Sequence, residues 1–118
     1  METTKVMQHL IGKSYREIVD NLNIEDYPGD CCGYAEWDVT DEIAQKLNSD
    51  SAVLKDVVMI EYEEYSSDRC VVNFIFDLGE ERGLILGYDL TAGSGSGWAY
   101  GAFCTLSFKD EEIATASY

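Results

Sequence analysis

Proline is nearly absent from this 118-residue chain, with Pro28 standing alone, so a proline-rich spacer or low-complexity arm is excluded. Histidine is as scarce: His9 is the only one, which leaves a Ser–His or Cys–His nucleophilic pair with a single available base. Long apolar runs are missing too. The longest, at 57–60, 71–72 and 74–76, fall far short of the roughly 18 residues a membrane-spanning helix needs. Residues 1–14 carry an apolar stretch too short for a secretory core, with no small-residue cleavage site after it. Together these absences predict a soluble cytoplasmic chain with no membrane partner. In a reducing compartment Cys31, Cys32, Cys70 and Cys104 are then expected as free thiols.

Positive charge is the other shortage. Eight Lys and Arg stand against 23 Asp and Glu, a formal charge of −15 and an isoelectric point near 4.1. Such a surface repels nucleic acid and anionic lipid, so direct nucleic-acid binding is not expected. The distribution sharpens this: residues 17–45 hold nine carboxylates and no Lys or Arg. Further acidic groups follow at Glu61, Glu63, Glu64 and Asp68, and at Asp110, Glu111 and Glu112. The expected partner is a basic protein.

What is present is a core's worth of apolar residues, 46% of the chain, with eight Tyr, four Phe and two Trp. A chain of this length buries a core without disulfide or metal, and no composition shift divides it, so residues 1–118 read as one globular domain. Thr3 or Thr4 can cap a helix through Leu10, with Gly12 placed to end it. Tyr15, Ile18, Val19 and Leu22 fit helical spacing, although the segment is also short enough for an edge strand. After the turn-rich EDYPGD, residues 32–37 alternate as a half-buried strand. Asp38 or Thr40 then caps a predicted helix over 41–47, with Ile43, Ala44 and Leu47 on one face.

From residue 56 the pattern changes. Segments 57–65, 70–77, 83–90 and 100–108 are rich in Val, Ile, Phe and Tyr and are separated by turn residues, which predicts antiparallel neighbours. Val58, Ile60 and Tyr62, Val72, Phe74 and Phe76, and Leu84, Leu86 and Tyr88 alternate, so they are expected to share one apolar sheet face. Strands gathered after a helical N-terminal half predict an α+β fold. Short N-terminal helical elements would pack on a mainly antiparallel sheet of about four to six strands.

Catalytic and metal motifs are lacking. There is no C-x2-C, and adjacent Cys31 and Cys32 point to opposite faces of an extended chain, so a zinc site or other cofactor is not expected. The run AGSGSGWAYG has no lysine after it and opens no helix, unlike a phosphate-binding loop. It reads either as a flexible hairpin loop or as a recognition loop presenting Trp98 and Tyr100. Carboxylate pairs such as Glu63 with Glu64 do not by themselves make a catalytic site, and no calcium-loop pattern occurs. The expectation is a protein that is not an enzyme.

The order LIGKS, GDCCGY, GLILGYDL and CTLSF resembles a family of small uncharacterised bacteriophage proteins, a domain of unknown function with L-x-G-K and D-C-C signatures. The similarity runs from Leu10 to Phe108, and departs where NLNIEDYP replaces a glycine-rich hairpin. What the resemblance implies is a phage accessory protein acting in the host cell, with no catalytic residues to carry over. Combined with the charge, it leads to the expectation of an acidic protein that binds and inhibits a basic host protein of the defence-nuclease or transcription-factor class, as a nucleic-acid mimic. Its expected partner-binding residues are Glu36, Asp38, Asp41, Glu42, Glu61, Glu63, Glu64, Trp98 and Tyr100. The alternative is a small-molecule or metal-sequestering domain built on Cys31, Cys32, Trp37 and the glycine-rich loop at 93–98. Edge pairing into a two-fold dimer is compatible with either.

Overall fold

Ser14 caps a helix: its side chain accepts a hydrogen bond from the Glu17 N–H, and α1 runs Tyr15–Asn21. Seven residues are too few to hold a helix by themselves, so α1 depends on what it packs against. In the computed structural model, which describes residues 8–29, 33–64, 67–94 and 101–118, the rest of the chain is overwhelmingly strand. The strands are β1 Leu22–Tyr27, β2 Tyr34–Asp41, β3 Val53–Glu64, β4 Ser67–Leu78, β5 Glu81–Gly93, β6 Phe103–Phe108 and β7 Glu111–Ser117. Strand accounts for 65% and helical turns for 13%, which overturns the α+β expectation. Among the described residues the fold is antiparallel β, seven strands in two sheets, with one short helix. Among the described residues no helix is long and apolar enough to cross a membrane.

Three stretches account for the difference. The predicted helix over 41–47 is a series of turns, because the Asp41 carboxylate accepts from the N–H groups of Ile43 and Ala44 and bends the chain there. Only Ile43 of its expected apolar face is buried, and Leu47 is 87% exposed. Within the predicted N-terminal helix, residues 1–7 lie outside the described residues, and Gln8–Leu10 is a single 3-10 turn. The two strands that were not expected, β1 and β7, are rich in Asn, Asp, Glu and Ala, poor strand formers that sheet pairing holds in place.

The sheets have the orders β1-β6-β7 and β2-β5-β4-β3, all pairs antiparallel. They stack with β2 over β1 and β6, and with β4 and β5 over β7. Where the smaller sheet ends, the N-terminal segment completes the second layer. The Gly12 N–H donates to the Leu54 carbonyl and the Leu54 N–H to the Lys13 carbonyl, Leu10 and Ile18 are fully buried, and the Tyr15 ring meets Phe76 edge-on at 5.7 Å. The interior is set by alternation: Cys70, Val72, Phe74 and Phe76 of β4 share one buried core with Cys104, Leu106, Ala114 and Ala116 of the smaller sheet. Each large side chain removed from water there stabilises the fold by about 1.5–3 kcal/mol.

One expectation about the sheet faces is corrected. Glu64 pairs with Ser67, so from Asp56 onward the even-numbered residues of β3 lie opposite odd-numbered residues of β4: Val58 opposite Asn73, Ile60 opposite Val71, Tyr62 opposite Arg69. Val58, Ile60 and Tyr62 therefore sit on the outer face, away from Val72, Phe74 and Phe76, while Val57 and Met59 point inward. A bulge between Leu54 and Asp56 lets Leu54 point inward as well, three residues before Val57.

Candidate functional site

β2 is the edge of the larger sheet, and its alternation divides two chemistries. Glu36, Asp38 and Thr40 lie opposite Thr91, Asp89 and Gly87, on the outer face. Ala35, Trp37 and Val39 lie opposite Ala92, Leu90 and Tyr88, on the side toward the smaller sheet. At the end of β2 the Glu42 N–H donates to the Ile85 carbonyl, and the Ile85 N–H donates to Glu42 Oε1, both at 2.9 Å. Even-numbered N–H groups thus face β5, and those of Ala35, Trp37 and Val39 face the open edge. The Asp38 carboxylate takes up the Val39 N–H at 3.0 Å.

Two depressions flank this edge. The larger, about 530 Å³, is lined by Asp26, Ala35, Glu36, Trp37, Asp38, Asp89 and Thr91. The second, about 390 Å³, is an apolar groove formed by Leu22, Asn23, Ile24, Trp37, Val39 and Tyr88, where β1 runs below β2. Trp37 belongs to both and is 45% exposed. Asp89 is held by Arg69 through paired bonds of 2.9 and 2.8 Å, and the same guanidinium lies 4.8 Å above the Tyr62 ring. Among the described residues no cation forms an ion pair with Asp26, Glu36 or Asp38. Three uncompensated carboxylates around an exposed indole are complementary to a guanidinium or ammonium, which can pair with the charges and stack on the ring.

The expected site residues do not form one patch. Glu36 and Asp38 come together, joined by Asp26 and Asp89, which sequence reasoning missed. Asp89 is the cross-strand partner of Asp38, a relation no local pattern reveals, and Asp26 arrives only through stacking of the two sheets. Asp41 is engaged elsewhere, accepting from the Tyr15 hydroxyl and from the Ile43 and Ala44 N–H groups, and Glu42 is bound to Ile85. Glu61 and Glu63 lie on β3, the opposite edge of the sheet, opposite Cys70 and Asp68, and Glu64 ends that strand. Trp98 and Tyr100 fall outside the described residues, as do Cys31 and Cys32 and most of the glycine-rich loop.

Cys70 and Cys104 are buried within the sandwich. Burial, reinforced by Glu61, Asp68 and Asp89, pushes the Cys70 thiol up to about 12, and burial with Asp26 pushes Cys104 up to about 11. Both are protonated at neutral pH and so are poor nucleophiles and poor ligands. Below about pH 9 the folded and unfolded chains alike hold these protons, but above it the unfolded chain releases them first. Stability is therefore expected to fall as pH rises from about 9 toward 12, and the urea midpoint of a Cys70→Ala/Cys104→Ala chain should fall less steeply. Among the described residues no group of three or more His, Cys, Asp or Glu side chains is placed to hold a metal ion, and His9 pairs with Glu111 at 3.1 Å.

Compared with known proteins, the chain matches no family model, no curated protein and no solved structure.

Proposed function

We propose that this protein is an acidic binding module whose β2 edge docks on a basic protein, acting by occupancy rather than by catalysis. The observation that supports the reading is the Trp37 depression, where Asp26, Glu36 and Asp38 surround an exposed indole without a pairing cation among the described residues. A charge of −15 speeds encounter with a basic surface, and local complementarity then selects the docking site. Taken with the resemblance to small bacteriophage proteins, the partner proposed is a host protein in the cytoplasm, and the effect is inhibition by covering a surface that otherwise receives nucleic acid.

Affinity capture from lysate should compare the wild-type chain with a Glu36→Gln/Asp38→Asn chain at two salt concentrations. The expected result is a basic partner retained by the wild type, weakened about tenfold or more in the variant and weakened again by salt. Nucleic acid should compete for the captured protein. Equal capture by both chains, or a partner indifferent to salt, would refute the reading.

A further inference from the structure

The groove beside the depression lies along the β2 edge of the larger sheet. β1 lies below β2, yet its inward residues Leu22 and Ile24 are only half-buried, because nothing among the described residues continues the larger sheet above them. On the open side of β2, Ala35 and Trp37 present backbone N–H groups, and the inward Trp37 and Val39 remain 45% and 44% exposed. An exposed eight-residue edge with apolar side chains on one side is a template for another strand. A strand added there would alternate like its neighbour. Its side chains would fall in turn into the apolar groove and beside Glu36 and Asp38 on the outer face.

We propose that β2 accepts an extended segment of the partner with alternating apolar and basic residues, which becomes the fifth strand of the larger sheet. The inference rests on the basic-partner reading and specifies its mode: main-chain bonds supply the pairing and the alternating side chains select the sequence. Charge decides the occupant. A second copy pairing through β2 would set Glu36 and Asp38 against their own kind, and like charges directly opposed across strands are destabilising, whereas Arg or Lys at those positions pairs with them.

The test uses the synthetic peptide VRVKVRVKV and two forms N-methylated at alternate residues, one on the inner valines and one on the Arg and Lys residues. Binding is followed by calorimetry, and hydrogen exchange reads the amides of Ala35 and Trp37. The unmodified peptide is expected to bind, to slow exchange at both amides, and to lose about tenfold or more in affinity in one N-methylated form only, because only alternate N–H groups face the neighbouring strand. An Ala35→Pro chain should fold, its circular dichroism unchanged, since that N–H makes no bond to β5, and should bind the peptide about tenfold or more weakly. Equal binding of all three peptides would overturn strand addition while leaving the basic-partner reading intact, because charge alone would then hold them. Failure of the unmodified peptide to bind overturns strand addition, and the lysate capture judges the wider reading independently. A wild-type dimer by light scattering, with the two amides already protected, would give the edge to a second copy and also overturn the proposal.

Discussion

Replacing Phe74 by Ala is expected to lower the unfolding free energy by about 3–5 kcal/mol, read as a shift of the urea midpoint with little change in slope. Phe74 is fully buried on β4, pairs with Val57 and Leu86 on the neighbouring strands, and meets the Tyr88 ring edge-on at 6.2 Å. Its removal leaves a cavity at the centre of the larger sheet, where neighbours from both sides hold their positions. Against a typical domain stability of about 5–15 kcal/mol the loss is large. Val57→Ala and Val58→Ala extend the test to the face assignment. The first should cost about 2 kcal/mol, because Val57 points into the core, and the second about 1 kcal/mol or less, because Val58 is on the outer face. The reverse order would mean that the register of β3 on β4 is wrong.

Asp41→Ala is expected to cost about 2–4 kcal/mol, more than a surface carboxylate ordinarily contributes. One carboxylate oxygen accepts the Tyr15 hydroxyl from α1, and the other accepts the Ile43 and Ala44 N–H groups at 2.8 and 3.0 Å. The side chain therefore ties the helix to the end of β2 and shapes the turn that buries Ile43. Tyr15→Phe removes one of these bonds and should cost about 1 kcal/mol, with the Phe76 ring contact retained. The two losses should not add in the double variant, since both report the shared bond. An Asp41→Ala chain as stable as the wild type would show that these bonds are replaced by water without penalty. Partner capture by Asp41→Ala should match that of the wild type once the variant is folded, because its acceptors already serve the fold and do not line the Trp37 depression.

The long strands were legible because β-branched and aromatic residues concentrate in β3, β4 and β5 and turn residues separate them. The face assignment of β3 was not. Val57, Val58, Met59 and Ile60 are apolar at both parities, so alternation could not choose between them, and the pairing of Glu64 with Ser67 made the choice. Helical spacing misled at 41–47 for a related reason: Ile43, Ala44 and Leu47 match a helix period, but the Asp41 side chain offers the backbone a competing set of bonds. β1 and β7 were hidden by their composition, since their strand character comes from pairing with β6 and not from propensity.

The acidic surplus, the strand-rich C-terminal half and the carboxylates of residues 36 and 38 follow from the linear chain, because composition and local alternation are local quantities. The neighbours of those carboxylates do not. Asp89 reaches Asp38 through sheet register, Asp26 reaches Trp37 through the stacking of two sheets, and Asp41 is withdrawn from the surface by a helix that begins 26 residues earlier. Such juxtapositions depend on long-range pairing, whose free energy is shared across the whole sandwich, so the tertiary structure alone turned scattered charge into a site with an edge, an indole and a direction of approach.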